Sequence, residues 1–530
     1  MGGNSASPGR AAGGGGGWAP LLGAVEARGR HRGEAPFHVP GHCRGRAAVL
    51  LPGPAAEMLG GTMEYDTTEL RGLGCLGEPA GPVADAEARA SEAFGSERAW
   101  FLVNGSSAGV HAAVLATCRP GDTLVVARNA HRSAIAAMVL AGAHADWVET
   151  KTDAALGLAH GVEPGAVEAA LHAADDSGRK VGAVLVVSPT YFGACSDVTA
   201  LSHVCHLRGV PLIVDEAHGS HLGLLAGLCR GLQSPPGGYP RGALAGGADL
   251  VVQSTHKTLP ALTQSAMLHL QGSRVEPERV SLALQMLQSS SPSYILMASL
   301  DAARAAVESL AAGGEGAAEL RQLVAQVEEL RRDLAELPGL HVVGAGSVGV
   351  TSADPLRLTV ATEGAGVSGF EAAAKLEDDF GVVVELATPT CVVLVVSLGI
   401  RFEDLRRVFE AFRGLVGSAA VTQGPLDDLS TQGICAAAPS LEMAMSPREA
   451  YFAAAEPVLV AEAVGRIGAE VVCPYPPGIP LVVPGCVVSA EAVEALKAVQ
   501  TLGGGVTGAS DPGLRTLRVL TAPPPLRRPT

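Results

Sequence analysis

Two polar residues at the ends of apolar runs could do chemistry in this chain. Lys257 closes the run Gln253-Ser254-Thr255-His256-Lys257, and Asp215 lies 42 residues earlier in Val214-Asp215-Glu216-Ala217-His218. Ala248-Asp249-Leu250-Val251-Val252 leads into the lysine, and Val210-Pro211-Leu212-Ile213-Val214 leads into the aspartate. Both apolar runs read as buried parallel strands. Both polar residues then fall at strand carboxyl ends, where open α/β sheets bind ligands. A lysine and an acid displayed there are the two groups that pyridoxal phosphate needs. The amine forms a Schiff base and the carboxylate pairs with the pyridine nitrogen.

Two further segments suit the same cofactor. Asn104-Gly105-Ser106-Ser107-Ala108-Gly109 follows a strand-like run and precedes an Ala-rich helical run at 110–118. Such a loop offers free N–H groups and hydroxyls at a positive dipole end, which suits a phosphate, although many such loops are only helix caps. Arg128-Asn129-Ala130-His131 follows the strand at 123–127, and His131 could stack on an aromatic ring. Taken singly, each residue has a plainer reading. Asp215 could cap a helix, Lys257 could be a solvated loop lysine, and His131 a loop histidine without a ligand. A catalytic lysine needs partial desolvation or a neighbouring cation. Four such segments in this order, each after a strand, argue against the plain readings together.

Strand–helix alternation from about residue 80 predicts a mostly parallel sheet covered by helices on both faces. Residues 317–337 read as an amphipathic helix, with Leu320, Leu323, Val324, Val327, Leu330 and Leu334 at three- and four-residue steps. A smaller α/β domain follows, with strands expected at 356–361, 382–386 and 392–398 and helices at 369–380 and 402–412. The expected organisation is a low-complexity leader at 1–35, a major domain at 36–310 and the small α/β domain at 311–415. A linker at 416–440, a small α+β C-terminal domain at 441–522 and a disordered tail at 523–530 complete it. The leader reads either as the remnant of a transit peptide or as plain low complexity.

Composition narrows the function. The chain of 530 residues is 47% hydrophobic and 4% aromatic, so its cores must be built from Ala, Val and Leu. Its formal net charge of −15, with no basic stripe, argues against nucleic acid or an anionic membrane as partner. The ten cysteines form no CxxC pair and no Cys/His cluster of zinc spacing, so no metal site is expected and a reducing compartment is.

The chain resembles the ornithine/lysine/arginine decarboxylases, pyridoxal-phosphate enzymes of the aspartate-aminotransferase fold. The resemblance runs from about Pro36 to residue 500. It rests on Phe37-His-Val-Pro-Gly-His42, Thr68-Glu-Leu-Arg-Gly-Leu73, Asn104-Gly-Ser-Ser107, Arg128-Asn-Ala-His131, Val214-Asp-Glu-Ala-His218 and Ser254-Thr-His-Lys257. Ser291-Pro-Ser-Tyr294, Ala298-Ser-Leu-Asp301 and Cys473-Pro-Tyr-Pro-Pro-Gly-Ile-Pro480 complete the set. Ser188-Pro-Thr-Tyr-Phe-Gly193 and Ala116-Thr-Cys-Arg-Pro-Gly-Asp122 look most like the shorter plant-type members, which fits a cytoplasmic or plastid location.

The resemblance implies α-decarboxylation of arginine, lysine or ornithine. It implies that Lys257 holds pyridoxal 5′-phosphate covalently, Asp215 pairs with its ring nitrogen, Ala217 lies against one ring face and His131 stacks on the other. Ser106, Ser107, Ser254 and His256 would surround the phosphate, with His218 beside the cofactor. Lys257 or His256 would return a proton to Cα. Ser291 would reach the phosphate of a neighbouring subunit, implying a homodimer or larger homo-oligomer with shared sites. The chain departs from the family at Cys43, where a lysine is usual, at Gly74-Cys75, where an acidic pair is usual, and at Ala108, often a hydroxyl residue. An aminotransferase or lyase of the same fold and an inactive regulatory paralogue are the alternatives; Arg401 could clamp a substrate carboxylate in the former, but reads better as decorating the start of the helix at Phe402.

Overall fold

Short runs rich in Val, Leu and Ala form strands here because a sheet covered on both faces needs no polar alternation. The computed structural model describes residues 18–31, 35–230, 238–419, 439–475 and 478–521. The leader at 1–17, the tail at 523–530, most of the linker with Cys435, and Pro476-Pro477 lie outside the described residues.

Seven strands build the main sheet: β1 (Arg98–Leu102), β2 (Thr123–Ala127), β3 (His144–Val148), β4 (Val181–Val187), β5 (Leu212–Asp215), β6 (Leu250–Gln253) and β7 (Ala266–Leu270). Their order is β1-β7-β6-β5-β4-β2-β3. Strands β3, β2, β4, β5 and β6 run parallel, and β7 runs antiparallel to both its neighbours. The register pairs Asp215 with Val252 and with Val187. The segments after β4, β5 and β6 therefore emerge side by side.

The small domain is a four-stranded antiparallel sheet of β8 (His341–Val343), β9 (Arg357–Ala361), β10 (Leu386–Ala387) and β11 (Cys391–Val395), in the order β8-β9-β11-β10. Helix Ala317–Ala335 buries the expected Leu/Val stripe against it. The expected strand at 382–386 shortens to β10: residues 382–384 take no regular form, and Glu385, at a bend, donates its N–H to Val393 O of β11 at 2.9 Å. A two-residue ladder between Ala194–Cys195 and Ser352–Ala353 ties the small domain to the major one.

The C-terminal domain pairs Ala455–Leu459 with Thr516–Leu520 and Cys473–Tyr475 with Gly505–Thr507, beside helix Ala490–Thr501. Its Val472, Val482 and Leu517 join one apolar cluster with Ala134, Ile135 and Met138 of helix Arg132–Ala141. The buried Arg128 stitches the same boundary by donating to Pro439 O at 2.9 Å and Pro480 O at 2.8 Å.

Part of the segment expected as leader is helical. Helix Pro20–Arg30 buries Leu21 and Val25, and Asp301 accepts from Leu21 N at 2.8 Å and Leu22 N at 3.1 Å. A helix start brought to a carboxylate is satisfied both by hydrogen bonds and by its dipole. No described helix is long and apolar enough to cross a membrane.

The edge strand β1 is covered rather than exposed. Glu87 accepts from Phe101 N at 2.9 Å, and Gln288 accepts from Val103 N at 2.8 Å and donates to Phe101 O at 3.2 Å. Burial raises the Glu87 carboxyl from 4.5 to about 8. An acid whose folded pKa lies above its unfolded one contributes stability that is complete below the unfolded value and fades as pH rises through the folded value. The stability advantage of Glu87→Gln over the natural protein should therefore grow between about pH 5 and pH 8.5, by roughly 3 kcal/mol. Denaturant unfolding at the two pH values checks this; a gap that does not change with pH contradicts it.

Candidate active site

Helix Gly105–Thr117 starts five residues earlier than its Ala-rich run suggests, so Ser106 and Ser107 occupy its first turn. Gly105 permits this with φ +74°, a left-handed step that joins strand to helix. No side chain caps this helix. Its first N–H groups are left for a ligand, at the positive end of the dipole. Ser254, buried just past β6, donates to Ser106 Oγ at 2.8 Å, so the two hydroxyls converge at that end.

Lys257 sits in the short helix Thr255–Thr258 and is part-buried, not a solvated loop lysine. His256, beside it, bonds Ser265 O through Nδ1 at 2.9 Å. A carbonyl only accepts, so Nδ1 carries a proton there, and Nε2 is the ring nitrogen turned away from that bond.

Asp215 is 6% exposed and accepts from Ala217 N at 3.1 Å. It caps no helix, since the next one begins at Leu222. Burial raises its pKa, and the charges of His131 and Lys257 pull it back down. His131 caps helix Arg132–Ala141, its Nδ1 accepting from Ser133 N at 3.2 Å. Burial lowers its pKa, Asp215 opposing and Lys257 assisting. Ala217 is buried next to Asp215. Ser291 is exposed and makes no contact with these groups, its N–H donating to Ser289 Oγ at 3.1 Å.

Lys257, Asp215, His131, Ser254 and Ser106 thus gather at the ends of β5, β6, β2 and β1. The profile described as Orn/Lys/Arg decarboxylase, major domain, matches residues 20–350, and that described as Orn/Lys/Arg decarboxylase, C-terminal domain, matches residues 431–508. The chain belongs to the Orn/Lys/Arg decarboxylase family. It is 32% identical to an arginine decarboxylase of Halalkalibacterium halodurans, over 94% of this chain and 97% of that one. It is also 32% identical to an arginine decarboxylase of Bacillus subtilis, over 91% and 94%. The constitutive lysine decarboxylase of Escherichia coli superposes with a TM-score of 0.78 at 21% identity, covering 95% of this chain and 82% of that one, a likeness that bears on the fold.

The cofactor of this decarboxylase is pyridoxal 5′-phosphate. The residues present fit it. Asp215 is a buried acid with no close ion pair to a described residue, which suits a pyridinium. The uncapped helix start with its paired serines suits a phosphate. Among the described residues no group of His, Cys, Asp and Glu could hold a metal.

Around His218, expected beside the cofactor, the decarboxylase brings in Arg357, Tyr191 and Glu385, which reading the sequence missed. Lys257 Nζ lies 3.0 Å from His218 Nε2, and Arg357 Nη2 lies 3.2 Å from His218 Nδ1. The Tyr191 ring packs on His218 at 4.3 Å between centroids, with Lys257 Nζ 5.6 Å from its centre. Burial pushes the Tyr191 phenol up to about 12. Glu385, exposed on the small domain, acts electrostatically on Lys257, Arg357 and Tyr191. Arg357 had one signal in the sequence: a charge opening the apolar run Leu358-Thr359-Val360-Ala361. Arg401, by contrast, is exposed and pairs with Asp404 at 3.3 Å at the start of helix Phe402–Ala419. It does not reach the site, which removes the aminotransferase-style clamp.

Proposed function

We propose that this enzyme removes the α-carboxylate of a basic amino acid, with Lys257 as the cofactor's covalent anchor. The observation that carries the reading is the convergence of Lys257, Asp215 and His131 at one end of the sheet. Bound pyridoxal phosphate supplies an electron sink for the bond that breaks at Cα. Asp215 would keep the cofactor's ring nitrogen protonated, and His131 and Ala217 would pack against the ring. Ser106, Ser107, Ser254 and His256 bind the phosphate. Lys257 would hold the cofactor, and Lys257 or His256 would supply the proton that Cα takes up. His218 holds Lys257 in position. Glu385 is the acid that meets the distal cation of the substrate, since it and the buried Asp215 are the carboxylates acting on Lys257. The product is agmatine, cadaverine or putrescine, which would feed polyamine synthesis.

The working unit is a homodimer or larger homo-oligomer. Phe37, Val49, Leu50 and Met58 are each at least 80% exposed, and helix Gly53–Met63 buries no residue. An apolar segment of this size on one chain asks for a partner, and a second copy would bring its exposed Ser291 to this site. The bacterial origin of the relatives favours the cytoplasm over a plastid.

Comparing kcat/KM for arginine, lysine and ornithine supplied separately tests the substrate class. One of them should be turned over with clear preference, and an enzyme inactive on all three would end the reading. Glu385→Gln should raise KM for the preferred substrate about 10- to 100-fold, the loss of one charge-assisted bond. The absorbance of bound cofactor should be unchanged. An unaltered KM would remove Glu385 from substrate binding.

A further inference from the structure

The bond directions around His218 reach further than the roles above. Arg357 is 2% exposed, on β9 of the small domain, and touches His218 Nδ1 through Nη2 at 3.2 Å. A guanidinium has donors and no acceptor. In this contact Nδ1 therefore accepts. His218 is itself buried, and its desolvation together with the Arg357 charge disfavours a second proton. A neutral imidazole has one N–H, which must then be on Nε2. That N–H points along the 3.0 Å contact to Lys257 Nζ. An ammonium offers only donors, so it would leave two donors facing each other. An uncharged amine has the lone pair that completes the bond.

We propose that Arg357 and His218 form a one-way hydrogen-bond chain that keeps Lys257 as the uncharged amine. Arg357 and His218 are positioning residues here, acting on the cofactor through Lys257. Other groups face the amine as well. Asp215 and Glu385 favour its charged form, Arg357 and desolvation oppose it, and the Tyr191 ring lies 5.6 Å away. Desolvation is the largest influence against the charge, and the Arg357–His218 chain adds to it. Their value lies in the step where Lys257 must attack as a nucleophile, since only the free amine carries the electron pair that forms the new bond. Arg357 comes from the small domain and His218 from the major one, so the chain spans the boundary that the Ala194–Cys195 and Ser352–Ala353 ladder holds closed.

The composition makes the test clean. The chain has five lysines, Lys151, Lys180, Lys257, Lys375 and Lys497. The other four lie on the surface, with Lys180 at 67% side-chain exposure and Lys497 exposed. The cofactor-free full chain is labelled with acetic anhydride across a pH series, and each lysine is quantified by peptide mass spectrometry. In the natural protein, the labelling midpoint of Lys257 should lie at least about one pH unit below that of Lys497. Arg357→Met and His218→Phe should each raise the Lys257 midpoint by about one pH unit, whereas Arg357→Lys, which keeps a cationic donor, should leave it in place. If Arg357→Met fails to fold, His218→Phe against Arg357→Lys decides. A natural Lys257 midpoint equal to that of Lys497, or one that His218→Phe does not move, overturns the proposal. The inference rests on Lys257 as the cofactor's anchor. Labelling without cofactor tests the chain itself, while borohydride trapping of cofactor on Lys257 tests the anchor separately.

Discussion

Lys257→Ala should lower turnover of the preferred amino acid at least about 10⁴-fold, the size of loss seen when a covalent catalyst is removed. Borohydride should then fix no cofactor on the protein, whereas in the natural protein it should mark Lys257 and none of the other lysines. The expected loss is chemical, not structural. The amine's hydrogen bond is to His218 Nε2, and it lies in a pocket that lowers its own pKa through desolvation. Removing a partly desolvated amine takes little from the fold, so the melting temperature should stay within a few degrees of the natural value. Residual turnover within tenfold of the natural enzyme would show that another group anchors the cofactor.

Asp215→Asn should leave the cofactor trapped on Lys257 but slow turnover about 10²- to 10³-fold, comparable with losing one preorganised electrostatic contact. A carboxylate 6% exposed acts through a medium that screens charge poorly, so its hold on a protonated ring nitrogen is strong. An amide of the same shape keeps the bond from Ala217 N and loses the charge. Burial raises the Asp215 pKa, so its charged form gains most from a cation brought against it. The carboxylate is therefore held ready for a cation. Asp215→Glu, which keeps the charge at a displaced position, should fall between the two. Steady-state rates of the three proteins check this order. A fully active Asp215→Asn would deny the ring nitrogen any part in the reaction.

Much of the site was legible because its residues stand at strand ends, where an apolar run stops at a polar residue. Asp215, Lys257 and Ser254 are of this kind. His131 was legible for the same reason, at the end of β2. What the sequence hid was either local geometry or contact across domains. Helix Gly105–Thr117 begins at its glycine because Gly105 takes a left-handed φ that the Ala-rich run after it does not announce. Arg357 comes to His218 from 139 residues further along the chain, and such a separation leaves no periodic trace. Glu385 follows the run Val382-Val383-Val384, which reads as a strand continuing to Leu386. In the fold that run takes no regular form, and the carboxylate at its end is exposed. Helix Pro20–Arg30 was hidden by composition, since its glycine- and arginine-rich sequence lacks a strong apolar stripe. Its anchor is Asp301, 280 residues away.

The most direct test of decarboxylation at this site is the balance of products. The cofactor-loaded enzyme would be given carboxyl-labelled arginine, lysine or ornithine, and labelled carbon dioxide and amine counted together. One amine for each carbon dioxide, with no oxo acid formed, is the result expected. Oxo acid in place of amine, or loss of the amino group with the labelled carboxylate retained, would contradict it.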